Sequence, residues 1–372
     1  MKKNNDSELA VAPSITQAYT LPADFYRKTE LFELAKEQVF TRCWHWVADE
    51  ADLPENGYVL PVELLPGFLN EPLLLTKDQA GQSRCLSNVC THRGKIMVEE
   101  AGNARQITCG YHGRCFHLNG EFKSMPGFQG VENFPAPTDH LPELPLLSWC
   151  NMLFTSLSPF LPLDDIMAPV TERIGFLPFD QLRLSETGTQ DYPVNAHWAL
   201  YVDNYLEGFH VPFVHPGLNK ALDFGQYDYE LFPYCNLQVG IADAHSPCFD
   251  LPPDHRDYGR RVFAYYFWVF PNLMLNFYPW GLSMNVVEPI GPEQTLVRFR
   301  AYTFEGQEFA RENANIHQTE MEDEAVVESV QQGIKSRLYW KGRFSPSMEK
   351  CVHHFHRLVS SFLIGEEKED FT

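Results

Sequence analysis

The sequence predicts a two-part α+β protein: a mostly β region followed by a region built on a large sheet with helices against it. Three observations carry this. Between residues 46 and 155, short apolar runs such as Tyr58-Val59-Leu60 and Leu73-Leu74-Leu75 are broken by proline and glycine, as short antiparallel strands require. Further on, 262–270 and 296–302 are rich in aromatic and β-branched side chains, the composition of strands around an apolar interior. Two stretches, 31–40 and 322–334, instead read as helices.

Taken in order, residues 1–45 form an arm whose helix, 31–40, should dock on the later region. Residues 46–155 form the β-rich domain. Pro159-Phe160-Leu161-Pro162-Leu163 marks the boundary to a third segment, 156–372, which holds the long strands. Within it, the 322–334 helix offers Ala325, Val326, Ser329, Val330 and Gly333 as a small-residue packing face. Val352-His353-His354-Phe355-His356 clusters three histidines, for which structural hydrogen bonding is the ordinary reading.

At 372 residues the chain can bury a core large enough for two domains. Its 49 acidic against 29 basic residues give a formal charge of −20, which argues against a nucleic-acid surface and suits a cationic substrate, or simple solubility. Nine cysteines in this length are too sparse for a disulfide scaffold and fit a reducing compartment. No apolar run is long enough to span a membrane, and Met1-Lys2-Lys3-Asn4-Asn5-Asp6 leads into no signal-peptide core. The expected location is therefore cytoplasmic, with no membrane partner.

Chemistry enters at Cys90-x-His92 and Cys109-x-x-His112, separated by sixteen residues and set among glycines. They read as the ligands of a Rieske [2Fe–2S] cluster, two thiolates on one iron and two imidazoles on the other. Gly94, Gly110 and Gly113 permit tight turns and leave room for amides near the sulfides. A hairpin from Cys115 to Phe122, turning at Asn119-Gly120, is predicted to fix the second loop. The same four side chains form a legitimate zinc set. Cys115 and His117 are read as packing or hydrogen-bonding neighbours, and Arg93, Lys95, Arg105 and Arg114 as a basic patch for an acidic electron donor.

A second site is suggested by Asp203-Asn204-Tyr205-Leu206-Glu207-Gly208-Phe209-His210-Val211-Pro212-Phe213-Val214-His215-Pro216. On a helical backbone Glu207 and His210 share one face. Pro212 and Pro216 argue for a bend that brings His215 beside His210. Alone, two histidines near prolines serve equally well to stabilise a bend. Beside an electron-carrying cluster they suggest two thirds of a two-histidine, one-carboxylate iron site of an oxygenase.

With these motifs, the sequence from about Leu21 to Ile364 resembles the alpha subunit of Rieske non-haem iron aromatic-ring-hydroxylating oxygenases. The resemblance implies a mostly β Rieske domain and a helix-grip catalytic domain with a large antiparallel sheet. It implies that His210, His215 and Asp323 hold mononuclear Fe(II), with Glu322 the alternative register for the acid. It makes Glu207 a catalytic bridge between His210 and the Rieske ligand His112 of a neighbouring subunit, in a homotrimer. Electrons would come from NAD(P)H through a separate reductase, directly or through a ferredoxin, because the chain has no convincing dinucleotide-binding glycine motif of its own.

Glu rather than Asp at 207 is similar to the branch acting on choline, carnitine and other quaternary ammonium compounds. His197-Trp198-Ala199 departs from the Asn-Trp-Lys common there. Tyr265, Tyr266, Trp268, Phe277, Tyr278 and Trp280 are candidates for a cation-binding aromatic cage, or for core. The expected reaction is hydroxylation of a small organic substrate with O2. Alternatives are cis-dihydroxylation of an arene, a Rieske electron-transfer protein without catalytic iron, and a zinc-stabilised interaction protein.

Overall fold

The computed structural model describes residues 8–215, 228–307 and 313–365, so Pro216 lies outside the described residues. It divides into two units: Thr41–Phe160, and the residues up to Phe40 together with those from Leu161 onward. The arm contributes α1 (Thr29–Gln38) to the second unit.

Within the described residues, the first unit holds β1 (His45–Asp49), β2 (Tyr58–Leu64), β3 (Glu71–Lys77), β4 (Ser83–Ser87), β5 (Gly102–Asn103) and β6 (Ile107–Thr108). It continues with β7 (Cys115–Phe116), β8 (Phe122–Ser124), β9 (Glu143–Leu144), β10 (Leu146–Trp149) and β11 (Met152–Thr155). These form three antiparallel sheets, ordered β5-β2-β3-β4-β9, β1-β11-β10 and β6-β7-β8. Leu73, Leu74 and Leu75 are all fully buried, so β3 is covered on both faces, which explains its unbroken apolar run. Leu74, Leu86, Ile107 and Phe116 form a core that also includes Cys90 and Cys109.

In the second unit α2 (Leu163–Ile174) starts immediately after the proline-rich boundary. One antiparallel sheet follows, built from β12 (Arg183–Val194), β13 (Asp228–Phe232), β14 (Cys235–Ile241), β15 (Val262–Val269), β16 (Leu273–Tyr278), β17 (Gly281–Gly291) and β18 (Gln294–Thr303). Its strand order is β12-β18-β17-β16-β15-β14-β13. Helices α3 (Trp198–Tyr205), α4 (Val211–Val214), α5 (Asn313–Ile334) and α6 (Lys350–Ile364) complete the unit. Trp268 of β15 meets Phe355 of α6 at 5.3 Å, and Phe355 meets Trp198 of α3 at 5.7 Å, so three elements share one aromatic seam. Burying each such ring contributes about 1.5–3 kcal/mol. Gly365 ends α6 in the left-handed conformation that glycine adopts without a Cβ clash.

The reading of the 322–334 helix is corrected. The helix predicted over 322–334 begins at Asn313, and its buried residues are Glu320, Val327, Gln331 and Ile334, while Ala325, Ser329, Val330 and Gly333 face outward. Polar contacts join Val327 and Ile334 in docking α5: Gln331 Oε1 accepts the His197 amide at 2.9 Å and Tyr201 donates to Glu320 at 2.7 Å. A small-residue stripe is a poor guide where hydrogen bonds share in the docking. Of the aromatic candidates, Tyr265, Trp268 and Phe277 are core, each fully buried.

The C-terminal histidines anchor the arm. His353 Nε2 bonds the Ala12 carbonyl at 2.8 Å. His356 Nδ1 accepts the Leu21 amide at 2.9 Å, so its hydrogen sits on Nε2 and is donated to Asp203 Oδ1 at 2.8 Å. Among the described residues, no helix is long and apolar enough to cross a membrane.

Candidate metal centres

The loops at Cys90 and Cys109 are built alike although their spacing differs. In each, the cysteine carbonyl accepts the amide four residues on, Gly94 at 2.9 Å and Gly113 at 3.0 Å, and the cysteine amide donates to the carbonyl five residues on, Lys95 at 2.9 Å and Arg114 at 2.8 Å. Both glycines have left-handed φ, +71° and +70°, where a side chain would be strained.

These loops bring like ligands together. His92 Nδ1 and His112 Nδ1 lie 3.2 Å apart, and the Cys90 and Cys109 thiols are near enough for each to shift the other's acidity. A single zinc would need all four atoms around one point. Among the described residues, only His210, His215 and Asp323 converge in that way. The two-plus-two grouping instead fits the paired irons of a [2Fe–2S] cluster. The cysteines are buried, the histidines half-buried, and Tyr111 beside His112 is 57% exposed. Cys115 faces Thr108 and the Gly113 carbonyl.

Arg114 is not part of a surface patch. It is 2% exposed, paired with Asp139 at 2.6 Å and flanked by the rings of Phe116, Phe122 and Phe134. Asp139 also accepts Thr91 Oγ1 on its carbonyl at 3.0 Å, so one residue ties both ligand loops.

At the second centre, three ligand atoms of His210, His215 and Asp323 lie within 4.8 Å of one another. Both imidazoles turn Nε2 toward Asp323 Oδ1, at 3.3 Å from His210 and 2.9 Å from His215. Their Nδ1 atoms point the other way, His210 to Glu207 and His215 to Glu322, each at 2.7 Å. Glu207 and His210 do not share a helix. They lie between α3 and α4, where the Glu207 carboxylate accepts the amides of Phe209 and His210 and holds the chain in a tight turn. Pro212 falls in the first turn of α4, where its missing N–H costs nothing, and the α4 turn ends on His215.

Electrostatics favour a cation here. Burial alone would depress His210, yet the hydrogen bonds to Asp323 and Glu207 raise it to about 9. His215 is raised against burial by Asp323 and Glu322. Burial pushes Asp323 up, but the two imidazoles outweigh it and keep the carboxylate ionised. The carboxylates that raise both imidazoles would equally attract a divalent ion, and the donor set of two imidazoles and one carboxylate fits ferrous iron.

Two neighbours escaped the sequence. Asn204 Nδ2 donates to Asp323 Oδ1 at 2.6 Å, and Glu320 is buried against Tyr201. A buried carboxylate needs a donor, but that signal names Asn204 only after Asp323 has been located in space.

Each candidate centre lies in a region that matches a known family. The family profile "Ring hydroxylating alpha subunit (catalytic domain)" matches residues 180–365, and "Rieske [2Fe-2S] domain" matches 43–135. The carnitine monooxygenase oxygenase subunit of Escherichia coli (strain K12) is 30% identical across 92% of this chain and 94% of its own length. The chloroplastic choline monooxygenase of Arabidopsis thaliana is 28% identical across 93% of this chain and 83% of its own. The fold is shared with the quaternary ammonium Rieske monooxygenase CntA (TM-score 0.76, 23% identity, 96% of this chain and 97% of that one). It is shared also with naphthalene 1,2-dioxygenase from Rhodococcus sp. (TM-score 0.75, 17% identity, 99% of each chain). Fold and site together define a Rieske-type oxygenase. The chain belongs to the ring-hydroxylating alpha-subunit family, on its choline and carnitine monooxygenase side.

Proposed function

We propose that this chain is the terminal oxygenase of a multicomponent system and hydroxylates a small quaternary ammonium compound. The observation that carries this is the convergence of His210, His215 and Asp323 in a chain similar over nearly its whole length to choline and carnitine monooxygenases. Held by these three side chains, Fe(II) supplies oxygen activation, and a cluster held by Cys90, His92, Cys109 and His112 supplies electrons. The electrons come from NAD(P)H through a separate reductase, with or without a ferredoxin.

Glu207 orients His210 through Nδ1, and its remaining lone pairs suit a hydrogen bond from His112 of a neighbouring subunit in a homotrimer. Exposed Phe209 and Phe213 beside Glu207, 46% and 79% accessible, and exposed Tyr111 beside His112 support such an encounter.

The substrate reading draws on one face of the sheet. Tyr205, at the end of α3, donates to Asn276 Oδ1 at 2.7 Å. Tyr266 pairs directly opposite Asn276, and Tyr278 is two residues further along the same strand, so both rings share the face beneath Tyr205. They meet at 82° with centroids 6.0 Å apart, and Trp280 stacks on Tyr278. Half-buried aromatic faces of this kind attract a trimethylammonium group.

Reductase-coupled oxygen uptake with product mass analysis tests the reading. Quaternary amines should give hydroxylated or C–N-cleaved product in step with oxygen consumed. Product from aromatic acids alone would overturn the substrate class.

A further inference from the structure

We infer that Glu322 is a positioning residue for the mononuclear site, holding the His215 ring by its Nδ1 hydrogen so that Nε2 is offered to the metal. The inference rests on the ligand assignment proposed above and adds to it a residue beside the coordinating carboxylate.

Consecutive residues of α5 grip both nitrogens of one imidazole: Glu322 Oε2 lies 2.7 Å from Nδ1 and Asp323 Oδ1 2.9 Å from Nε2. A neutral imidazole binds a metal through one nitrogen only when the other carries the hydrogen, and an acceptor at Nδ1 decides which. His215 needs such an acceptor from the protein, because its side chain is 2% exposed and water has little access to the ring. The short helix α4 fixes the backbone of His215 through the Val211 carbonyl but leaves ring rotation free. Glu322 is itself held, since Gln318, one turn earlier on α5, donates to Oε1 at 2.9 Å. His210 has the equivalent partner in Glu207. Each imidazole thus has its own carboxylate at Nδ1, one from the α3–α4 connection and one from α5.

The test is ferrous iron affinity, measured anaerobically by competition with a chromophoric chelator, alongside the EPR spectrum of the nitric oxide adduct. Glu322 is 30% exposed, so Glu322→Ala should fold, with the visible cluster absorption as the control. Glu322→Ala should bind iron about 10–100-fold more weakly and alter the nitric oxide signal. Glu322→Gln, whose carbonyl still accepts the Nδ1 hydrogen, should recover part of that loss. Asp323→Ala should bind no mononuclear iron. The inference is overturned if Glu322→Ala matches the parent in affinity and spectrum, or if glutamine is no better than alanine. It is also overturned if Glu322→Ala abolishes binding while Asp323→Ala retains it, which would make Glu322 the ligand. Parent-like binding by both Glu322→Ala and Asp323→Ala would reject the ligand assignment as well.

Discussion

Asn204 reaches across from α3 to α5 and donates its side-chain amide to Asp323 at 2.6 Å, on the same oxygen that faces both His210 and His215. The carboxylate is therefore set in place by a helix other than its own. The coordination proposed for it uses side chains separate from those of the cluster.

Asp323→Ala should lower total iron from about three to about two per chain while leaving the cluster spectrum intact, because the two centres use different side chains. Metal analysis with visible absorption checks this. Unchanged iron would transfer the ligand role to another acid.

Glu207→Gln keeps the shape of the group that His210 Nδ1 meets at 2.7 Å and removes its charge. Both metal contents should persist, while turnover falls about 10–100-fold, the usual cost of altering the carboxylate behind a ligating histidine. Single-turnover oxidation of the reduced cluster on adding substrate and oxygen should slow in parallel. A parent-like rate would exclude the bridge.

Arg114→Met leaves Asp139 without its buried partner and removes the cation from between Phe116, Phe122 and Phe134. Breaking a buried pair costs about 3–5 kcal/mol, and the partial exposure of Asp139 places this one at the lower end. Thermal bleaching of the visible cluster should occur at lower temperature. Equal bleaching curves would mean that the aromatic rings alone hold the loop.

Burial between Tyr201 and α5, reinforced by Asp323 and Glu324, raises Glu320 from an ordinary value of 4.5 to about 8. A carboxyl whose folded-state pKa lies above its unfolded value contributes stability below the unfolded pKa and loses it as pH rises through the folded one. Stability from Glu320 is accordingly complete below about 4.5 and gone above about 8. Glu320→Gln cannot ionise, so its melting temperature relative to the parent should improve steadily from pH 5 to pH 8.5, both proteins being iron-free. A constant difference would show that Glu320 is already charged at pH 5.

The cluster loops were legible because their geometry is local: ligand spacing and the glycines at 94 and 113 are sequence features. The long sheet was legible for the same reason, its strands announcing themselves by composition. The second centre was harder, since its three groups come from positions 210, 215 and 323, and only family resemblance singled out the acid. Local spacing misled at Glu207 and His210, which meet through a turn rather than a helix. It misled at α5 and Arg114 for a common reason. Pattern reading assigns charged groups to solvent, and only the folded chain reveals Tyr201 waiting for Glu320, or Asp139 and three rings waiting for Arg114.

The histidines of α6 give the N-terminal arm an influence beyond its length. Leu21 is fastened to His356, whose opposite nitrogen grips Asp203, and Asp203 precedes Asn204 in the chain. Trimming the arm through Leu21 would release one side of that imidazole and loosen the helix that steadies Asp323. Deletions or bulky fusions at this end of the protein would therefore be felt as poor metal retention, far along the sequence from where the cut was made.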